Sequence, residues 1–109
     1  MWNIPTAKQL SKIPRLYSTE GTPCADKKIY LHFFIGDSDW YIAEYDGKDL
    51  FYGFTILNNW VNSAEWGYIS FSELKKLRMP PSFEVDREID WKVVKASEIE
   101  KLHECLQAF

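Results

Sequence analysis

Residues 40–57 read WYIAEYDGKDLFYGFTIL, two aromatic-rich runs separated by Asp46-Gly47. Asp-Gly between two such runs is one of the strongest short signals of a β-hairpin, because tight hairpin turns need residues that tolerate positive φ. The pattern predicts strands over Trp40–Tyr45 and Leu50–Leu57. We therefore expect these two segments to pair antiparallel.

Three more strands are predicted around this hairpin. Lys28–Ile35 alternates, with one apolar face made by Ile29, Leu31, Phe33 and Ile35. Glu65–Phe71 is a further strand, after a loop at residues 58–64. The cleanest alternation is that of Phe83–Trp91, whose apolar face is Phe83, Val85, Ile89 and Trp91.

Short helices are predicted from capping signals. Thr6 and Gln9 have capping-box spacing, which indicates a helix over about residues 7–13 that Pro14 ends. Ser70 and Glu73 begin a second helix, which runs to about residue 78. Ser97 with Glu100 begins a last helix, with an apolar stripe of Ile99, Leu102, Leu106 and Phe109.

These elements predict one α+β domain over residues 1–109, an antiparallel meander of about five strands with short helices packed on one face. Its parts are an N-terminal helix and loop (1–27), a sheet region (28–97) and a C-terminal helix (98–109). A length of 109 residues excludes a two-domain enzyme and an eight-unit barrel. The 18 aromatic residues are mostly assigned to strands, where a small sheet needs bulky core side chains.

The charge and the cysteines of the chain limit the classes of function and the cellular compartment that are possible. The net charge of -3 excludes a uniformly basic nucleic-acid binder. Residues 31–74 hold seven carboxylates against Lys48 alone, a balance of -6 that argues against direct nucleic-acid binding there. With no secretory pattern, no membrane-length apolar segment and two separated cysteines, Cys24 and Cys105, we expect a cytoplasmic protein with free thiols.

Four segments follow one another in a recognisable order: DWYIAEYD at residues 39–46, LFYG at 50–53, EWGYISFSEL at 65–74 and VDRE at 85–88. Their sequence resembles a family of small bacterial domains of unknown function, carried by phages, plasmids and integrated mobile elements. The resemblance covers roughly residues 30–97, and the strand-to-helix junction at 65–74 is its most specific part. It implies an accessory protein of a mobile element that works inside a bacterial cell, and it assigns no activity or catalytic residue.

Arg87 is the one polar residue on the apolar face predicted for residues 83–91. An arginine that points into a core needs a carboxylate partner, because an unpaired buried charge costs several kcal/mol. Glu44 and Glu65 are the candidate partners. A structural ion pair is therefore the first interpretation of Arg87, and contact with a ligand is the second.

The opposite face of the same segment carries Glu84, Asp86, Glu88 and Asp90. Alternate residues on a strand lie about 6.8 Å apart, so these four carboxylates would form a regular row. Such a row can bind in a basic groove on a partner. Protection of an edge strand from pairing, or ordinary solvation, is the first interpretation of these charges, and partner binding is the second. Trp60, out of place in its loop, is the aromatic residue that we expect to be exposed as an interface anchor.

Clustered acids offer a second class of function. Asp37, Asp39, Glu44 and Asp46 could hold Mg²⁺ or Mn²⁺ for a small metal-dependent hydrolase or nuclease. Their spacing matches no metal signature, and solvated acidic turns explain them as well.

The sequence thus favours a non-enzymatic protein-binding module with no cofactor and no catalytic or metal-binding residue. The expected partner is a bacterial host protein or an element-encoded protein, and inhibition of a host defence system is one form of such a function. The oligomeric state stays open.

Overall fold

The structure is a computed structural model that describes residues 1–105 and 108–109. The chain has the predicted α+β fold, built on a five-stranded antiparallel sheet with the order β5-β4-β3-β2-β8. The strands are β1 (Lys28–Ile29), β2 (Leu31–Ile35), β3 (Ser38–Tyr45), β4 (Leu50–Ile56), β5 (Glu65–Ser70), β6 (Arg78–Met79), β7 (Phe83–Glu84), β8 (Asp86–Arg87) and β9 (Val94–Lys95). The α-helices are α1 (Ala7–Ser11) and α2 (Phe71–Lys76), and short 3₁₀ helices lie at Cys24–Asp26, Val61–Ser63, Ala96–Glu98 and Glu100–Glu104.

The predicted hairpin is formed by β3 and β4, which pair antiparallel with Tyr45 opposite Phe51. Its connection is longer than a two-residue turn, because the Asp46 N–H donates to the Leu50 carbonyl and leaves residues 47–49 between them. Gly47 has a φ of 86°, which a side chain would strain. The Asp46 carboxylate accepts from three backbone N–H groups of this turn, so it belongs to the turn itself.

One face of the sheet packs against both α-helices. Phe33, Ile42 and Phe51 are fully buried there, together with Phe71 and Leu74 of α2. Two of the three predicted caps form: Gln9 and Thr6 make a reciprocal capping box, and the Ser70 hydroxyl accepts from the Glu73 N–H. Both helices are shorter than predicted and end at Ser11 and Lys76. The predicted start at Ser97 with Glu100 is wrong, because that segment begins earlier, after Lys95, whose N–H donates to Glu98 Oε1.

The other face is covered by the C-terminal segment, which the sequence predicted as an α-helix. It is instead 3₁₀ helix, with i to i−3 bonds such as that from the Leu102 N–H to the Ile99 carbonyl. The physical reason is the spacing of its buried residues, which recur at every third position as 3₁₀ geometry requires: Ala96, Ile99, Leu102, Cys105 and Ala108. Of the predicted stripe, Phe109 is exposed and Leu106 lies outside the described residues.

The predicted strand over residues 28–35 is divided at Tyr30. Its first part, β1, pairs with β9 and places Ile29 in the core of the second face. Its second part, β2, pairs with β3 and places Leu31 and Phe33 in the core of the first face. Ile29 therefore does not share a face with the other three apolar residues.

The predicted strand over residues 83–91 forms only in part. Asp86–Arg87, as β8, pairs with β2 and supplies the fifth strand of the sheet, while Phe83–Glu84, as β7, pairs with β6, and the fully buried Val85 lies between them. From Glu88 the chain turns, and the Trp91 N–H donates to the Glu88 carbonyl. Phe83 and Ile89 are 52% and 63% exposed. Of the four residues on the predicted apolar face, only Val85 is buried, and Trp91 is partly buried.

Candidate functional site

Three of the four carboxylates predicted to bind a partner contact this chain's own residues. Glu84 Oε1 accepts from the amino group of Met1 and lies 3.8 Å from Arg78. Asp86 Oδ1 accepts from Asn3 Nδ2 at 2.8 Å, and Glu88 Oε1 lies 2.8 Å from His32 Nδ1. Only Asp90 has none of these side-chain contacts among the described residues. The four acidic side chains therefore do not form one continuous row of unpaired carboxylates in the described part of the chain.

Glu84 and Asp86 each use only one carboxylate oxygen in these contacts. Within the described part of the chain, the second oxygen of each has no hydrogen bond. The hydrogen bond from the amino terminus, opposed in part by desolvation, lowers the pKa of Glu84 from its usual value. Glu84 is therefore ionised at neutral pH.

An apolar groove of about 340 Å³ lies directly beside these two carboxylates. Its walls include Trp2, Met79 and Phe83, which are 41%, 40% and 52% exposed. The Trp2 and Phe83 rings meet edge to face at 6.3 Å between centroids. The groove arises because the Trp2 N–H bonds the Val85 carbonyl and so holds the N-terminal residues against the segment that follows β7.

The sequence did not predict Trp2 or Met79 as site residues. Trp2 precedes the first helix and has no periodic pattern around it, and Met79 is followed by two prolines, so neither position carries a local signal. A surface that combines an N-terminal tryptophan, the β6–β7 hairpin and β2 exists only after the chain has folded.

Trp60 is 62% exposed, so its predicted exposure is confirmed. It follows β4 in a loop whose Asn59 N–H donates to the Asp37 carbonyl at 3.0 Å. Asp37 is adjacent to Gly36, which lines the apolar groove. Trp60 and the groove therefore lie at the same end of the sheet.

The predicted ion pair of Arg87 with Glu44 or Glu65 is wrong. Arg87 lies on β8 and Glu65 on β5, the two opposite edges of the sheet, about 19 Å apart at the usual strand spacing. Arg87 Nε donates to the Asn3 carbonyl at 2.8 Å, and its side chain is only partly buried. Residues 83–91 do not form one continuous strand, so Arg87 does not lie on an inward apolar face.

Glu44 instead holds the loop between α1 and β1. It is 4% exposed and accepts from the N–H groups of Tyr17 and Thr19 and from the Thr19 hydroxyl. The buried Lys27 donates to the Thr19 carbonyl and hydroxyl. Tyr17 has a φ of 69°, an unusual value for a bulky residue, which this network maintains.

A pocket of about 350 Å³ opens beside Glu44 and Lys27, between the side chains of Tyr17, Tyr52 and Tyr68. The donors of Thr19 and Tyr17 already satisfy both oxygens of Glu44. The contacts of these charged groups explain the local fold, and they identify no ligand.

His32 lies between two carboxylates. Its Nε2 is 2.8 Å from Asp39 Oδ1, its Nδ1 is 2.8 Å from Glu88 Oε1, and its ring stacks on Tyr41 at 4.5 Å. Lys101 donates to the second oxygen of Asp39. The cluster ties β2, β3, the turn at Glu88 and the C-terminal 3₁₀ segment together.

The pKa of Asp39 reflects this cluster. Desolvation by burial favours the neutral acid, but the hydrogen bonds and attraction of His32 and Lys101 outweigh it and lower the pKa of Asp39 from its usual 3.8. Burial raises the pKa of the neighbouring Tyr41 hydroxyl. Asp39 is therefore a paired structural anion, and Tyr41 is neutral at physiological pH.

The four carboxylates proposed as metal ligands are separated. Asp39 pairs with His32, Glu44 caps the Tyr17 loop and Asp46 caps its own turn, while Asp37 lies exposed in the β2–β3 turn. Asp39 and Glu44 are five residues apart on β3, about 17 Å along a strand. Within residues 1–105 and 108–109, no group of three or more His, Cys, Asp or Glu side chains is arranged to hold a metal ion.

No family model, no curated protein and no solved structure matches this chain. None of the helices that the structure describes combines the length and apolarity needed to cross a bilayer.

Proposed function

We propose that this chain is a non-enzymatic protein-binding module that docks through the groove formed by Trp2, Met79 and Phe83 and edged by Glu84 and Asp86. The observation that supports it is the groove itself, an open volume of about 340 Å³ between large apolar side chains that remain 40–52% exposed. Folded proteins rarely leave such residues together at the surface, and aromatic residues and methionine are enriched at the centres of interfaces.

The carboxylates indicate the chemistry of the partner. Both Glu84 and Asp86 line the groove, and no described residue bonds the second carboxylate oxygen of either. A partner segment that inserts an apolar side chain and flanks it with lysine or arginine would bury the aromatic area and pair both acids. Trp60, at the same end of the sheet, would add a contact at the rim.

The cellular setting in this proposal comes from the resemblance to mobile-element domains. It makes the chain a cytoplasmic accessory protein, and the partner a bacterial host or element-encoded protein. Inhibition of a host defence system is the form of binding that such a setting favours. Glu88 and Asp90 do not line the groove, so they contribute no contact to the docking that we propose.

The test is affinity capture from the natural host with wild type, Phe83→Ala and a matched surface control, Ile89→Ala. Ile89 is also a more than half-exposed apolar residue, but it does not line the groove. We expect one partner to be captured by wild type and by Ile89→Ala and lost with Phe83→Ala.

Titration of the purified partner then gives the magnitude. Truncation of an interface anchor costs about 2 kcal/mol, which is about 30-fold in Kd. Equal affinity for Phe83→Ala and wild type would overturn the proposal.

A further inference from the structure

The two edges of the five-stranded sheet differ in how they are protected. One edge is β8, which has two residues, and the N-terminal segment covers it through the bond from Arg87 Nε to the Asn3 carbonyl. The other edge is β5, which has six residues. Natural edge strands are usually short, charged, bulged or interrupted by proline, because an open edge is a template for another strand. Within β5 only Glu65, its first residue, is charged, and proline is absent.

The backbone groups that point away from the sheet can be identified from the ladder. The Phe71 N–H donates to the Asp49 carbonyl at 2.8 Å, which makes Asp49 and Phe71 a hydrogen-bonded pair in the β4–β5 register. Hydrogen-bonded and non-hydrogen-bonded pairs alternate in an antiparallel ladder. Glu65, Gly67 and Ile69 therefore bond to β4, and the N–H and C=O groups of Trp66 and Tyr68 point outward.

Within the described residues, no hydrogen bond reaches the outward backbone groups of Trp66 and Tyr68. A Cβ on Gly67, at the middle of β5, would project from the face of the sheet and meet no heavy atom of the described residues within 4 Å outside its chain neighbours. The Tyr68 side chain is 56% exposed, and its ring lies 5.4 Å from Tyr52 of the neighbouring strand. Trp66 stacks on the same Tyr52 at 6.0 Å. An aromatic row on one face of the sheet therefore reaches the open edge.

We propose that β5 pairs antiparallel with β5 of a second copy of this chain, about a two-fold axis at Gly67. In this register Trp66 lies opposite Tyr68 of the second copy, and the reverse, so the outward groups of both residues make four backbone hydrogen bonds. The two Gly67 residues meet at the centre as a non-hydrogen-bonded pair, where the strands approach most closely and glycine leaves room. Each Trp66 also faces a tyrosine ring, a favourable cross-strand pair.

The charges agree with this register. Glu65, the only charged residue of β5, falls opposite Ile69 of the second copy and not opposite another acid. It lies on the face of the sheet that carries α2, whose last turn holds Lys75 and Lys76. The pairing therefore places Glu65 of one copy and the two lysines of the other copy on the same face of the joined sheet. It also leaves the docking groove free, because the groove borders β2 and the β6–β7 hairpin, away from β5.

The first experiment compares two substitutions of one residue by sedimentation equilibrium. Tyr68→Pro and Tyr68→Ala both remove the ring, but only proline removes the outward N–H, which the chain's own sheet does not use. We expect wild type and Tyr68→Ala to form dimers, the latter more weakly, and Tyr68→Pro to be monomeric with an unchanged circular dichroism spectrum. Wild type that is monomeric at about 0.1 mM, or proline and alanine variants that dimerise equally, would overturn the proposal.

A second experiment needs no variant. Amide hydrogen exchange of wild type is measured in dilute and concentrated solution. The amides of Trp66 and Tyr68 should gain at least about tenfold protection at high concentration, while those of Gly67 and Ile69 stay protected in both. Exchange of Trp66 and Tyr68 that does not depend on concentration contradicts strand pairing, whatever the variants do.

Discussion

Gly53 and Gly67 face each other across β4 and β5, yet their replacement by alanine should have opposite effects on stability. A Cβ on Gly53 would lie 2.1 Å from the Tyr41 carbonyl oxygen and 3.0 Å from its carbon. The close approach coincides with the bulge of β3 between Ile42 and Glu44, which carries the backbone of β3 toward Gly53. A Cβ on Gly67 would meet no heavy atom of the described residues within 4 Å, apart from its chain neighbours.

The magnitudes follow from these distances. A carbon and a carbonyl oxygen normally approach to about 3.3 Å, so Gly53→Ala must separate two central strands by about 1 Å. Both contacting atoms are backbone and cannot rotate away, so we expect a loss of about 3 kcal/mol or more in the free energy of unfolding. Gly67→Ala should gain about 0.5–1 kcal/mol, because alanine restricts the unfolded chain more than glycine does.

The assay is urea unfolding followed by tryptophan fluorescence, at a dilution where the chain is monomeric. With a slope of about 2 kcal/mol per molar urea, a difference of about 4 kcal/mol separates the midpoints of the two variants by about 2 M. The midpoint of wild type should lie nearer to that of Gly67→Ala than to that of Gly53→Ala. Midpoints that agree within about 0.3 M would refute the close approach at Gly53 and with it the bulged pairing of β3 and β4.

Three further predictions concern buried groups. Glu44→Gln should lose about 2–4 kcal/mol of stability and deprotect the amides that Glu44 binds, whereas the exposed Glu20→Gln should stay within about 0.5 kcal/mol in the same urea titration. Folding lowers the pKa of Asp39, so the stability that its ionised carboxylate contributes to the folded protein is complete above about pH 4 and is lost as the pH falls through the pKa of the folded state. The melting temperature of Asp39→Asn should therefore fall less in acid than that of wild type. Phe33→Ala, at a fully buried position, should cost about 3–5 kcal/mol by denaturant titration, and a cost below about 1 kcal/mol would contradict its place in the core.

The candidate site was predictable only in part. That Trp60 is exposed followed from its position in a loop between two strands, and the structure agrees. The groove was not predicted, because its walls come from the chain start, β2 and the β6–β7 hairpin, and their meeting depends on contacts such as that between the Trp2 N–H and the Val85 carbonyl. Glu84 and Asp86 were singled out for their spacing along a strand, but they border the groove because of the pairing of β7 and the position of residues 1–3.

Local chemistry was sufficient for the meander. The aromatic-rich runs specify the two central strands, Asp46-Gly47 specifies a turn, and Ser70 with Glu73 specifies a helix start, since each acts over a few residues. Local chemistry was insufficient for residues 83–91, where alternation predicted a single strand and an inward Arg87. There β8 pairs with β2, about fifty residues away, and the Val85 carbonyl bonds the N-terminal segment, about eighty residues away, so that the segment is divided at Val85.

The amino-acid pattern therefore establishes the α+β class, the antiparallel order of the central strands and the caps of both α-helices, because these depend on side-chain periodicity and on hydrogen bonds between near neighbours. Packing between distant segments establishes the partners of each charge, the 3₁₀ form of the C-terminal segment, the groove and the unprotected edge at β5. A carboxylate such as Glu44 takes the donors that folding brings to it, here Tyr17 and Thr19, and no spacing along the chain specifies which donors those will be.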